Sequence, residues 1–104
     1  MYIGGGPSLP AHYPTAAERK ATMDALRMNI CDAKTRLASV ILRARTEGVP
    51  LDYMLRLTEN PNYPSETQRT GVEITTAIYR SKKPVHVVAK VRKDCLKTYG
   101  LKAL

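Results

Sequence analysis

Cysteine is scarce in this chain, two in 104 residues, and acids are outnumbered, nine Asp and Glu against 17 Lys and Arg. Two cysteines are too few for the disulfide framework of a small secreted domain, so a reducing, intracellular setting is expected, with both as small packing residues. No apolar run reaches the roughly 18 uncharged residues of a membrane-spanning helix, and no membrane partner is expected. Residues 1–14 lack the basic start and apolar core of a signal peptide, so secretion is not expected. Catalytic and metal-binding motifs are missing as well. There is no Cys-x-x-Cys, no His-Glu-x-x-His and no cluster of carboxylates, and Gly4-Gly5-Gly6 is not followed by the Gly-Lys-Ser/Thr of a phosphate loop. Neither a metal nor a cofactor is expected, and the expected protein is not an enzyme.

What is present is ordinary globular composition, 43% apolar and 25% charged, at a length that suits one domain. The expected organisation is an N-terminal arm over residues 1–14 and a single compact domain over 15–104. The arm is rich in Gly and Pro, and Tyr2, Ile3, Leu9 and Tyr13 are the residues that would pin it to the surface. The formal net charge of +8 is uneven: residues 15–47 carry +3, residues 48–64 carry −1 and residues 65–104 carry +6. Such a field favours anionic partners and weakens with salt, unless the basic face serves only solubility.

The clearest element is a long helix. Thr15-Ala16-Ala17-Glu18 reads as a capping box, no Gly or Pro interrupts the chain up to Glu47, and Gly48 followed by Pro50 is a stop. Within it Met23, Leu26, Ile30, Ala33, Leu37, Val40 and Ala44 recur at spacings of three and four, the seam of a heptad repeat. Lys20, Arg27 and Lys34 flank the seam on one side, Arg36 and Arg43 on the other. A parallel coiled-coil homodimer would set these charges against one another and is disfavoured. The seam is expected to pack within the fold, in an antiparallel pair or on an acidic partner. Met28, Ile41 and Leu42 fall off it and widen the apolar stripe. The plain alternative is an ordinary core helix with basic side chains snorkelling at its edges.

A short helix is expected over Leu51–Glu59, with Leu51, Met54, Leu55 and Thr58 on one face, before the loop Asn60-Pro61-Asn62-Tyr63-Pro64. Ser65-Glu66-Thr67-Gln68 resembles a second capping box, but Gly71 soon interrupts it. From Val72 the apolar pattern alternates. Ile74, Thr76 and Ile78 match Val91, Ala89 and Val87 across a Ser81-Lys82-Lys83-Pro84 loop, and Glu73 meets Arg92 on the other face. The expected fold is therefore α+β: arm, long helix, short helix, basic β-hairpin and a short C-terminal helix near Asp94–Tyr99. A helix over Ser65–Tyr79, within an all-α fold, is the alternative.

The favoured function is non-enzymatic binding of nucleic acid, DNA or RNA, by that hairpin. Arg80, Lys82 and Lys83 would sit at its tip and Lys90, Arg92 and Lys93 along its second strand as phosphate contacts, with Tyr79 and His86 stacking on bases. A variant geometry is a helix-turn-helix of the short helix and residues 65–79 with a strand as wing, although the Asn- and Pro-rich loop matches its turn poorly. No family signature accompanies the basic segment. The second expectation is an adaptor or inhibitor that docks an acidic surface of a larger partner through Met23, Leu26, Ile30, Leu37 and Val40 and the flanking Arg27, Lys34, Arg36 and Arg43. A third is an oligomer capturing a phosphorylated small molecule with its Lys/Arg cluster. A nucleophilic Cys95, activated by Lys93 and Lys97 and paired with His86, is the one catalytic arrangement the residues allow, and no motif supports it.

Overall fold

The long helix, α1 (Ala16–Thr46), begins at the expected box: the Thr15 hydroxyl accepts from the Glu18 N–H at 3.1 Å, and the Thr15 N–H donates to the Glu18 carboxylate at 3.0 Å. It ends where Gly48 takes a φ of 87°, which L side chains rarely adopt, letting the Val49 N–H turn back to the Ala44 carbonyl at 3.0 Å. The computed structural model describes residues 13–102. Among these, α1 is followed by α2 (Leu51–Thr58), α3 (Ser65–Arg80) and α4 (Pro84–Thr98), with no strand. The arm residues Tyr2, Ile3, Leu9 and His12 lie outside the described residues, and Tyr13 is exposed rather than packed.

The expected β-hairpin is absent. Residues 65–80 form a helix, and residues 84–98 form another in place of a strand and a short terminal helix. The reason lies in a coincidence of spacings. Ile74 and Ile78 are separated by two strand repeats, but with Gly71 and Thr75 they also recur at three and four, and these four residues are the buried face of α3. Likewise Val87, Val88, Val91, Cys95 and Leu96 line the inner side of α4. Packing against α1 overrides the strand preference of the β-branched residues. Pro84 opens α4 as its first residue, a position where the missing N–H costs no hydrogen bond. Ser81-Lys82-Lys83 is a connection between two packed helices and not the loop of a hairpin.

The second expected capping box also dissolves. Pro64 precedes α3 without a side-chain cap, and the Gln68 amide instead donates to the carbonyls of Asn60 (3.1 Å) and Tyr63 (2.9 Å), fastening the Asn/Pro loop. Gly71 lies inside α3 rather than breaking it. A Cβ there would stand 3.1 Å from both Cβ and Cγ2 of Thr58, so the glycine lets α2 approach closely. α2 buries Met54 on the expected face.

Two apolar clusters hold the helices together. The larger joins Ala38 and Ile41 of α1, Met54 of α2, and Ile74 and Ile78 of α3. The smaller is built around a disulfide between Cys31 and Cys95, whose Cα atoms are 5.6 Å apart, with Leu96. Neither cysteine is the free packing residue expected, and Cys95 has no thiol to act as a nucleophile. Polar ties reinforce both clusters. Arg45 donates to the carbonyls of Ile78 (2.6 Å) and Ser81 (2.7 Å), placing a cation at the negative end of α3. The Tyr79 hydroxyl donates to the Val49 carbonyl at 2.6 Å. Desolvation pushes the Tyr79 phenol above its usual pKa, partly offset by the nearby Arg45. Arg92 pairs with Asp32 beside the disulfide.

The molecule is elongated. Its radius of gyration is 19.1 Å and its longest dimension 58 Å, against about 13 Å for the radius of a compact chain of this length. Residues 16–26 of α1, apart from half-buried Asp24, are exposed along their length, so the first third of the helix stands clear of the other three.

Candidate anion-binding face and the uncovered side of the long helix

The residues expected to contact phosphate fall into two groups. Lys90 and Lys93 are on the exposed side of α4, and Arg80, Lys82 and Lys83 are exposed at and after the end of α3, close to where α4 begins. Arg92 faces the other way, half-buried against Asp32, and is not part of that surface. Tyr79 is unsuited to stacking, since its hydroxyl is held by Val49 on the inner side. His86 is exposed on α4 in line with the lysines.

Helical geometry adds a residue the strand reading left out. Lys83, His86, Lys90, Lys93 and Lys97 follow one another at three, four, three and four, and all five are exposed. On an α-helix this spacing places them in one row about 21 Å long. The row was readable from the spacing once the segment is taken as helical, and Lys97 with it. Asp94 is the one acid in α4, and it is held by Lys90 at 2.5 Å. The side chains of Lys90 and Asp94 are 71% and 56% exposed, so this pair is solvent-screened and adds little to stability.

The seam of α1 is the second feature. Met23, Leu26, Ile30, Leu37 and Val40 are all exposed, Leu26 by 51% and Val40 by 62%. The residues that bury α1 are instead Cys31, Ala38 and Ile41, with Met28, Leu42 and Ala44 packed beside them. The seam was expected to be covered, within the fold or by a partner; its last member, Ala44, packs against the larger cluster, but among the described residues no other helix buries it from Met23 to Val40. Shallow grooves run along it. One is lined by Met23, Leu26 and Arg27, the next by Lys34, Leu37 and the start of α3 at Pro64 and Glu66, and both share Ile30, Ala33 and Tyr99. Arg27 lies over the Tyr99 ring, 5.6 Å from its centroid, and Asp24 pairs with Lys20 at 2.7 Å. On the opposite flank Arg36 is exposed and Arg43 pairs with Glu47 at 3.1 Å.

The paired Cys95–His86 arrangement does not form: Cys95 is buried in its disulfide, and His86 lies on the outer face of the same helix. Among the described residues no group of three or more His, Cys, Asp or Glu is placed to hold a metal ion, and no helix is long and apolar enough to cross a membrane. The chain matches no family model, no curated protein and no solved structure.

Proposed function

We propose that this protein is a small non-enzymatic binding module for nucleic acid, engaging the phosphate backbone through the outer face of α4. The supporting observation is the alignment of Lys83, His86, Lys90, Lys93 and Lys97 in one exposed row, extended at its start by Arg80 and Lys82. The row's length of about 21 Å spans several successive phosphates of a duplex, which carries one charge per roughly 1.7 Å of axis. Contacts of this kind give affinity and register but no choice of base sequence. The Cys31–Cys95 disulfide supports an oxidising compartment over the reducing one expected from the low cysteine content.

Titration of the protein with duplex DNA and with single-stranded RNA across a series of salt concentrations tests the reading. Phosphate contacts by the four lysines of the row give log K a slope against log salt of about −3.6 on a duplex. The triple variant Lys90→Glu, Lys93→Glu, Lys97→Glu should abolish binding at low salt while keeping the helical circular dichroism of the parent. Absence of binding to either polymer at low salt, or binding unchanged in the triple variant, ends the proposal.

A further inference from the structure

We infer that the uncovered seam of α1 is a docking groove for an amphipathic helix of a partner protein whose apolar stripe is flanked by acids. Three observations lead there. First, large apolar side chains at heptad spacing, from Met23 to Val40, remain exposed although the same helix has a separate buried face. Exposed apolar residues scattered singly are ordinary, whereas a contiguous stripe at helical spacing marks an interaction surface. Second, two shallow grooves run along the stripe from Met23 to Leu37, bordered by Tyr99 after α4 and, at the Leu37 end, by the start of α3. The exposed stripe from Met23 to Val40 is about 26 Å long, which matches a helix of about 17 residues.

Third, charge selects the occupant. Lys20, Arg27 and Lys34 border one flank and Arg36 and Arg43 the other. A second copy of this chain fits poorly in either orientation. Antiparallel, the Lys20–Arg27–Lys34 flank faces itself; parallel, it faces the flank of Arg36 and Arg43, again positive on positive. Acids near the groove already engage part of these flanks: Asp24 pairs with Lys20 at 2.7 Å and with Arg27 at 4.0 Å, Glu47 pairs with Arg43, and Glu66 stands at the α3 wall, while Lys34 on one flank and Arg36 on the other are in no ion pair among the described residues. A helix with Glu or Asp at the positions bordering its own apolar stripe meets unlike charge on both sides. This surface is distinct from the lysine row of α4, and its test separates the two.

The probe is a synthetic 21-residue peptide with Leu at the a and d positions and Glu at e and g, labelled for fluorescence anisotropy and titrated with the full chain. Two control peptides accompany it: one with Lys at e and g, and one of the Glu composition scrambled to lose its apolar stripe. The Glu peptide should bind at least tenfold more tightly than either control. The double variant Leu26→Asp, Ile30→Asp should lose at least tenfold, with its circular dichroism and melting unchanged because both side chains are outside the two buried clusters. Binding by Lys90→Glu, Lys93→Glu, Lys97→Glu should equal that of the parent. Equal binding of the Glu and scrambled peptides overturns the inference, as does loss of binding in the lysine variant, which would place the peptide on α4. Sedimentation equilibrium supplies the remaining arm: a dimer dissolved by Leu26→Asp, Ile30→Asp would assign the groove to a second copy and overturn the acidic partner.

Discussion

Thr75 is fully buried in the middle of α3, and its hydroxyl has no hydrogen-bond partner. A buried hydroxyl without a partner forfeits its hydration and receives nothing in exchange, at a cost of about 1–3 kcal/mol. Valine has nearly the same shape and no polar atom. Thr75→Val is therefore expected to stabilise the fold by about 1 kcal/mol, read as a higher urea midpoint at unchanged m value. Thr75→Ser keeps the unpaired hydroxyl and removes a methyl from beside Ile74 and Ile78, so its midpoint should fall. A lower midpoint for the valine variant would show that the hydroxyl is satisfied, for example by a buried water. The neighbouring Tyr79 makes the contrast plain: its hydroxyl is anchored on the Val49 carbonyl, and its ring closes the same cluster.

At the scale of elements, the contact between α2 and α3 depends on Gly71. Alanine is the better helix former by about 1 kcal/mol, which alone would favour Gly71→Ala. Its methyl would, however, meet the Cβ and Cγ2 of Thr58 at 3.1 Å, and Thr58 is tied down by a 2.8 Å bond from its hydroxyl to the Leu55 carbonyl. Overpacking of this kind costs typically 1–3 kcal/mol. The expected outcome is net destabilisation of about 1 kcal/mol, with a lower melting temperature in calorimetry. A gain in stability would show that α2 can shift at no cost. This glycine also explains part of what the sequence did and did not disclose. The start and end of α1 were legible because Thr15, Glu18 and Gly48 act locally, through bonds to residues three to five positions away. The first helical turn of α2 and its buried face were legible for the same reason. α3 and α4 were not, because their β-branched residues fit a two-residue and a 3.6-residue repeat alike, and only packing against the other helices decides between them. Gly71 looked like a breaker because its reason, the approach of Thr58, lies 13 positions away. Within the proposed row, Lys83, Lys90 and Lys93 stand out in the sequence by charge alone. Lys97 needed the helical repeat, and Arg92 was misplaced because its partner Asp32 lies 60 residues distant.

At the scale of the whole molecule, the Cys31–Cys95 bond fastens the last helix to the middle of the first across 64 residues of sequence. The apolar cluster around it is small, with Leu96 buried and Met28, Tyr99 and Leu101 packed alongside. The larger cluster around Ile41 and Ile78 lies nearer the other end of α1 and does not include it. Closing a loop of this length removes unfolded-state entropy worth about 4 kcal/mol in the chain-entropy treatment. That is a large share of the roughly 5–15 kcal/mol by which ordinary domains are stable. Reduction should therefore lower the melting temperature by roughly 15 °C or more, since about 1 kcal/mol moves a domain of this size by several degrees. Cys31→Ser, Cys95→Ser should melt at or below the temperature of the reduced parent and be indifferent to reductant. Hydrogen exchange below the melting point locates the effect. Amides of the last two turns of α4 should lose protection on reduction, while those around Ile41, Ile74 and Ile78 stay slow, because that cluster contains neither cysteine. Uniform loss of protection over all four helices would mean instead that the two clusters unfold as one unit, and that the bond stabilises the fold as a whole rather than the seat of α4 and Tyr99 against α1.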